Sequence, residues 1–93
     1  MQVVHKQVIS VKNAQSIPIR DLVEVLSVVV QHNELVMYFI RDESIGHVSM
    51  VDIVIKGTGH SHPQSDVGGK QFMGTFLLDS DMYVWHVWLS VRI

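Results

Sequence analysis

The chain has no cysteine, which excludes disulfides, thiolate metal sites and cysteine nucleophiles. It is also poor in charge. Asp, Glu, Lys and Arg make up 17% of its 93 residues, against about 25% in an average domain. The seven Lys and Arg are scattered singly and the formal net charge is −2. Sequence-independent nucleic-acid binding depends on clustered positive charge, so no nucleic-acid partner is expected. Long hydrophobic runs are missing as well. The stretch Val25–Val30 is broken by Ser27 and falls far short of the ~20 apolar residues a membrane span requires. The opening Met1–Lys6 has no apolar core of the kind a signal peptide carries. The expectation is therefore a cytoplasmic protein with no membrane partner.

What is abundant is apolar side chain, at 47% of the sequence. A chain of this length fits one domain, residues 1–93, and buries only about 60–65% of the surface its unfolded form exposes. Apolar residues in excess of what so small an interior can hide point to a homo-oligomer. The same abundance argues against disorder.

The dominant hydrophobic period is two, the period of β-strands. Residues 2–11 alternate as a first strand with mixed faces. Ser16-Ile17-Pro18-Ile19 follows, and because proline cannot donate to a ladder this piece is an edge strand or an extended connection. Val23–Gln31 is rich in β-branched residues, which crowd a helix and suit a strand. His32-Asn33 makes a tight turn, since Asn tolerates the positive φ of two-residue hairpins, and Glu34–Arg41 returns. His47–Lys56 is the next strand, residues 57–70 an irregular segment, and Gln71–Leu78 a strand interrupted by Gly74. Asp79-Ser80-Asp81 is a turn, and Met82–Arg92 closes the chain with apolar residues on both faces, as a central or covered strand has. The pattern predicts an all-β fold, a small antiparallel sandwich or barrel of about six strands.

One loop stands out as a candidate site: Gly57-Thr58-Gly59-His60-Ser61-His62, with Lys56 just before it. Two glycines after a strand let backbone approach a ligand, and exposed amides can cradle an anion. Thr58 and Ser61 add hydroxyls and His60 a titratable donor. It is not a dinucleotide fingerprint or a P-loop, because the third glycine and the Lys-Ser/Thr pair are missing. The plain alternative is a strand-ending turn whose glycines only supply positive φ. His60, His62 and His86 raise a second possibility, a three-imidazole zinc site with Asp66 as base. Against it, His-x-His arises by chance in a chain with six histidines, and His86 between Trp85 and Trp88 reads as a core or interface residue. Tyr83, Trp85 and Trp88 could stack on a ring ligand, although small β cores and interfaces use the same residues. No serine sits in a nucleophile elbow, and Asp79 and Asp81 read as turn caps rather than a catalytic pair. The residues support no catalytic or metal assignment and no cofactor.

The runs Val25–Gln31 with Glu34-Leu35, Ile55-Lys56-Gly57-Thr58-Gly59-His60, Met73–Asp79 and Val84-Trp85-His86-Val87, together with His5-Lys6 and Ile17-Pro18-Ile19, resemble a family of small uncharacterised phage and prophage proteins. The likeness follows the same order along nearly the whole chain. It departs where Ser61-His62 intervene between the Gly-Thr-Gly-His run and the proline that directly follows it in the family, and where Asp79-Ser80-Asp81 stand at a last turn that in the family has glycines. The resemblance implies a phage accessory protein that counters host defence, without implying a reaction. Two partner classes suit it. The first is a small anionic, nucleotide-like ligand held near residues 56–62, with Arg41, Lys56 or Lys70 adding charge. The second is a host protein blocked by direct contact, in the manner of an anti-CRISPR protein; a virion component is a further alternative.

Overall fold

In the computed structural model, which describes residues 1–93, seven strands form two antiparallel sheets. They are β1 (Gln2–Ile9), β2 (Ala14–Arg20), β3 (Leu22–Gln31), β4 (Glu34–Asp42), β5 (Val48–Gly57), β6 (Gln71–Leu78) and β7 (Tyr83–Arg92). One sheet has the order β1-β4-β3 and the other β2-β5-β7-β6. The result is an all-β, sandwich-like fold, as the alternating pattern predicts. The seventh strand is β2: the Ser16–Ile19 piece extends into seven paired residues. Pro18 is compatible with it because β2 lies at a sheet edge. The closing strand β7 lies between β5 and β6, and both its faces are covered: Val87 and Leu89 enter the core, while Trp88 on the other face meets Phe72 and His62.

The core is the space between the sheets. Leu35, Met37 and Phe39 of β4, Val28 of β3 and Ile9 of β1 meet Val51, Ile53 and Ile55 of β5 and Val87 and Leu89 of β7. These residues recur at every second position, so one face of each strand enters the core. Leu35, Met37, Val51 and Val87 are completely excluded from water. A buried Leu, Val or Met side chain contributes on the order of 1.5–3 kcal/mol, and this layer carries most of the stability.

Both ends of the sandwich are tied by turn chemistry. At one end a single residue, Asp21, links β2 in one sheet to β3 in the other, at φ 63°. Its amide donates to the His47 carbonyl at 2.8 Å, and its carboxylate accepts from the Gly46 amide at 2.9 Å. At the other end, His32 and Asn33 take φ 49° and 61° in the β3–β4 hairpin. The β6–β7 turn places Asp79, Ser80 and Asp81 at positive φ as well. Asn33 donates from Nδ2 to Asp79 Oδ1 at 2.7 Å and accepts the Asp79 amide at 2.7 Å. The two turns are thus clasped across the sheets.

The irregular residues 58–70 are mostly exposed, but they fold back on the outer face of the four-stranded sheet, where Asp66 meets Lys56 and His62 lies over Trp88, and they include a short 3₁₀ turn, Gln64–Asp66. Their cover explains why two residues on the outward parity of β5, Val54 and Lys56, are buried. The only helical element is this three-residue turn, and no helix is long and apolar enough to cross a membrane.

Candidate functional site

β5 delivers the loop to the end of the sheet, where Gly57 still pairs with Trp85 of β7. The chain then closes a tight turn in which the His60 amide donates to the Gly57 carbonyl at 3.2 Å and Gly59 takes φ +85°. That φ belongs to the third position of a type II turn, which a side chain resists. Gly57 has a different reason to be glycine. A Cβ there would lie 2.9 Å from the His60 ring and 3.3 Å from Trp85. The histidine is laid across the glycine backbone and towards the indole, and only a residue without a side chain leaves that space.

Thr58 is anchored twice. Its amide donates to the Val84 carbonyl at 3.2 Å, and its hydroxyl lies 2.8 Å from His86 Nε2. The other His86 nitrogen, Nδ1, lies 3.0 Å from the Thr75 hydroxyl. The strand register brings them together, since Thr75 and His86 are direct cross-strand partners. A neutral imidazole has one donor and one acceptor nitrogen. With the proton on Nε2, the Thr75 hydroxyl donates to Nδ1 and Thr58 accepts from Nε2. The Thr58 O–H hydrogen is then free for a ligand. The group behind His86 is a hydroxyl and not a carboxylate, so this arrangement tethers the turn rather than activating a nucleophile.

Other amides in the loop remain open. Those of Gly59, Ser61 and His62 make no hydrogen bond within the chain. His60 separates two clefts. One, of about 290 Å³, lies between the loop and the Val11–Asn13 connection, with Lys12, Asn13, Lys56, His60 and Ser61 on its walls and Trp85 below. The other, of about 210 Å³, runs from Thr58 and His60 to Met82, Tyr83 and Trp85. Tyr83 is half exposed, and its ring stacks against Trp85 with centroids 6.3 Å apart. One cleft is cationic and polar, its neighbour aromatic.

The candidate cations separate clearly. Lys56 borders the polar cleft, but its ammonium is buried and committed to Asp66 Oδ2 at 2.8 Å and to Asn13 Oδ1. Arg41 is at the far end: it pairs with Leu22 next to Asp21, and its Nε donates to the Arg20 carbonyl at 2.9 Å. Lys70 borders neither cleft, and its charge adds only a minor part to what holds the Asp52 carboxyl low. The larger causes there are Arg92, which donates to Asp52 at 2.6 Å, and then the Ser16 hydroxyl. The cation that reaches the loop with its charge unpaired is Lys12, which sequence reasoning missed. Nothing local marks it, because it comes from the connection between the two sheets.

The three histidines weighed as a zinc set do not converge. His60 covers Gly57, His62 lies over Trp88 with centroids 5.8 Å apart, and His86 is engaged by two threonines. No three His, Asp or Glu side chains form a metal-holding group. The aromatic residues divide in two. Trp85 packs against the core, while Trp88 on the outer face meets Phe72 at 5.1 Å under the arched segment.

Compared with known families, residues 1–92 match the model of a domain of unknown function, DUF7352, and the chain belongs to that family. No curated protein and no solved structure matches it.

Proposed function

We propose that this DUF7352 member is a non-enzymatic phage accessory protein. In this reading it binds a small phosphorylated, nucleotide-like ligand in the host cytoplasm and so counters a defence that depends on that ligand. The observation that carries the reading is the pair of clefts on either side of His60. The polar cleft supplies Lys12, the His60 ring and Ser61, whose amide makes no hydrogen bond within the chain. An open amide, a hydroxyl and a nearby ammonium suit an anion, and the cleft's size suits one or two phosphoryl groups better than a whole drug-sized ligand. The aromatic cleft offers Tyr83 as a stacking surface for a base. Lys56 also lines the polar cleft, but its charge is balanced by Asp66.

The test is calorimetry with inorganic phosphate, pyrophosphate and adenosine diphosphate. Pyrophosphate and the nucleotide should bind. Lys12→Ala should weaken both about tenfold, the worth of one charge-assisted hydrogen bond. Tyr83→Ala should weaken only the nucleotide. Absence of binding by any of the three, in a protein that still blunts a host defence, would move the function to direct contact with a host protein.

A further inference from the structure

The four free strand edges of the sandwich are guarded unequally. β2 carries Pro18. β3 is irregular twice, between Leu22 and Glu24 and between Val25 and Ser27, and β6 once, between Phe72 and Gly74. Prolines and bulges of this kind spoil an edge as a template for another strand. β1 has neither. Its eight residues run in unbroken register against Asp42–Leu35 of β4. No backbone hydrogen bond from elsewhere in the chain reaches its free side, and only Gln7 Nε2 reaches the Val8 carbonyl, at 3.4 Å. Val3, Val4 and Val8 are all about half exposed there.

We propose that the β1 edge pairs with the same edge of a second copy, antiparallel across a two-fold axis, joining two three-stranded sheets into one of six strands. Symmetry narrows the register. A two-fold perpendicular to the sheet keeps each face on its own side, so the pairing is centred on a residue opposite itself. Centring on Lys6 sets two ammonium groups face to face, which is destabilising. Centring on His5 spans residues 2–8 and sets Val4 against the second copy's Lys6, whose aliphatic stem can lie over the valine. It also sets Val3 against Gln7 and Gln2 against Val8. Registers centred further along pair fewer residues. The His5 ring is stacked on Phe39 of its own β4, with centroids 5.9 Å apart, and so leans away from the edge. The strand is self-complementary in this register, which favours a second copy over an unrelated partner. One strand edge is a small interface, so the dimer is a reversible, micromolar one.

Sedimentation of the full chain over a range of concentrations tests this. The wild-type protein should show a monomer–dimer equilibrium. Val4→Lys places a cation against the second copy's Lys6 on both sides of the axis and should weaken the dimer about tenfold. Val4→Glu places a carboxylate there and should dimerise at least about tenfold more tightly than Val4→Lys. Combining Val4→Lys with Lys6→Glu should restore the dimer. Val4 is exposed, and thermal unfolding of each variant confirms that the fold is intact. A wild-type monomer at every concentration would overturn the proposal, as would equal weakening by Val4→Lys and Val4→Glu.

Discussion

Replacing Gly57 by alanine isolates the contact that orders the candidate site. The position has no positive φ, so the backbone accepts a side chain. The obstacle is steric: the new Cβ would sit 2.9 Å from the His60 ring and 3.3 Å from Trp85. Ordinary contacts begin near ~3.5 Å, so the imidazole must swing aside by more than half an ångström. An off-rotamer side chain costs about 0.5–1.5 kcal/mol, while removing a glycine from a strand returns about 0.5–1 kcal/mol. Gly57→Ala should therefore be within about 1 kcal/mol of wild type, a fall of no more than ~4–8 °C in Tm. In a His60→Ala background most of the obstacle is gone, and the same substitution should be neutral or stabilising. The double-mutant cycle should show a coupling of about 0.5–1.5 kcal/mol. Pyrophosphate binding should weaken in Gly57→Ala even though the fold persists, because His60 no longer divides the clefts. An equal cost with and without His60, measured by urea unfolding, would show that the imidazole is not the obstacle.

Other substitutions probe the supports of the site and fold. Asp66→Asn leaves the buried Lys56 ammonium with a weaker partner and should cost about 1–3 kcal/mol in chemical unfolding; adding Lys56→Met should recover part of that loss. Asn33→Gly keeps the positive φ of the hairpin but breaks the clasp to Asp79, whereas Asn33→Ala loses both. Tm should therefore fall further for alanine, by about 1 kcal/mol in equivalent stability. The Asp52 carboxyl is held below its ordinary value of 3.8 by Arg92 and then Ser16. Its contribution is present above the unfolded value and lost as pH falls through the lower folded one. Melting temperature should accordingly decline below about pH 4, and Asp52→Asn should flatten that decline.

Much of the fold could be read from the chain because alternation is a local signal. β6 matches its predicted span, and the His32-Asn33 hairpin forms where Asn permits positive φ. β2 was harder to read, because Pro18 and the short side chains and Gln15 of Ala14–Ser16 hide a strand whose pairing with β5 is decided at long range. The site was legible in part. The Gly57–His60 turn and its open amides follow from glycine chemistry, but the link from Thr58 through His86 to Thr75 depends on the register of three strands. Lys56 and Lys12 show the limit most clearly. Sequence proximity favours Lys56, yet the arch of residues 58–70 brings Asp66 onto it, and a connection from the other sheet brings Lys12 to the loop.

An amide NMR titration of the full chain with pyrophosphate decides whether the loop and residues 11–13 form one anion site. Saturable shifts are expected at Lys12, His60 and Ser61, with the Asp21 end of the sandwich unmoved. Shifts absent from the loop, or centred on Arg41 and Asp21, would contradict it.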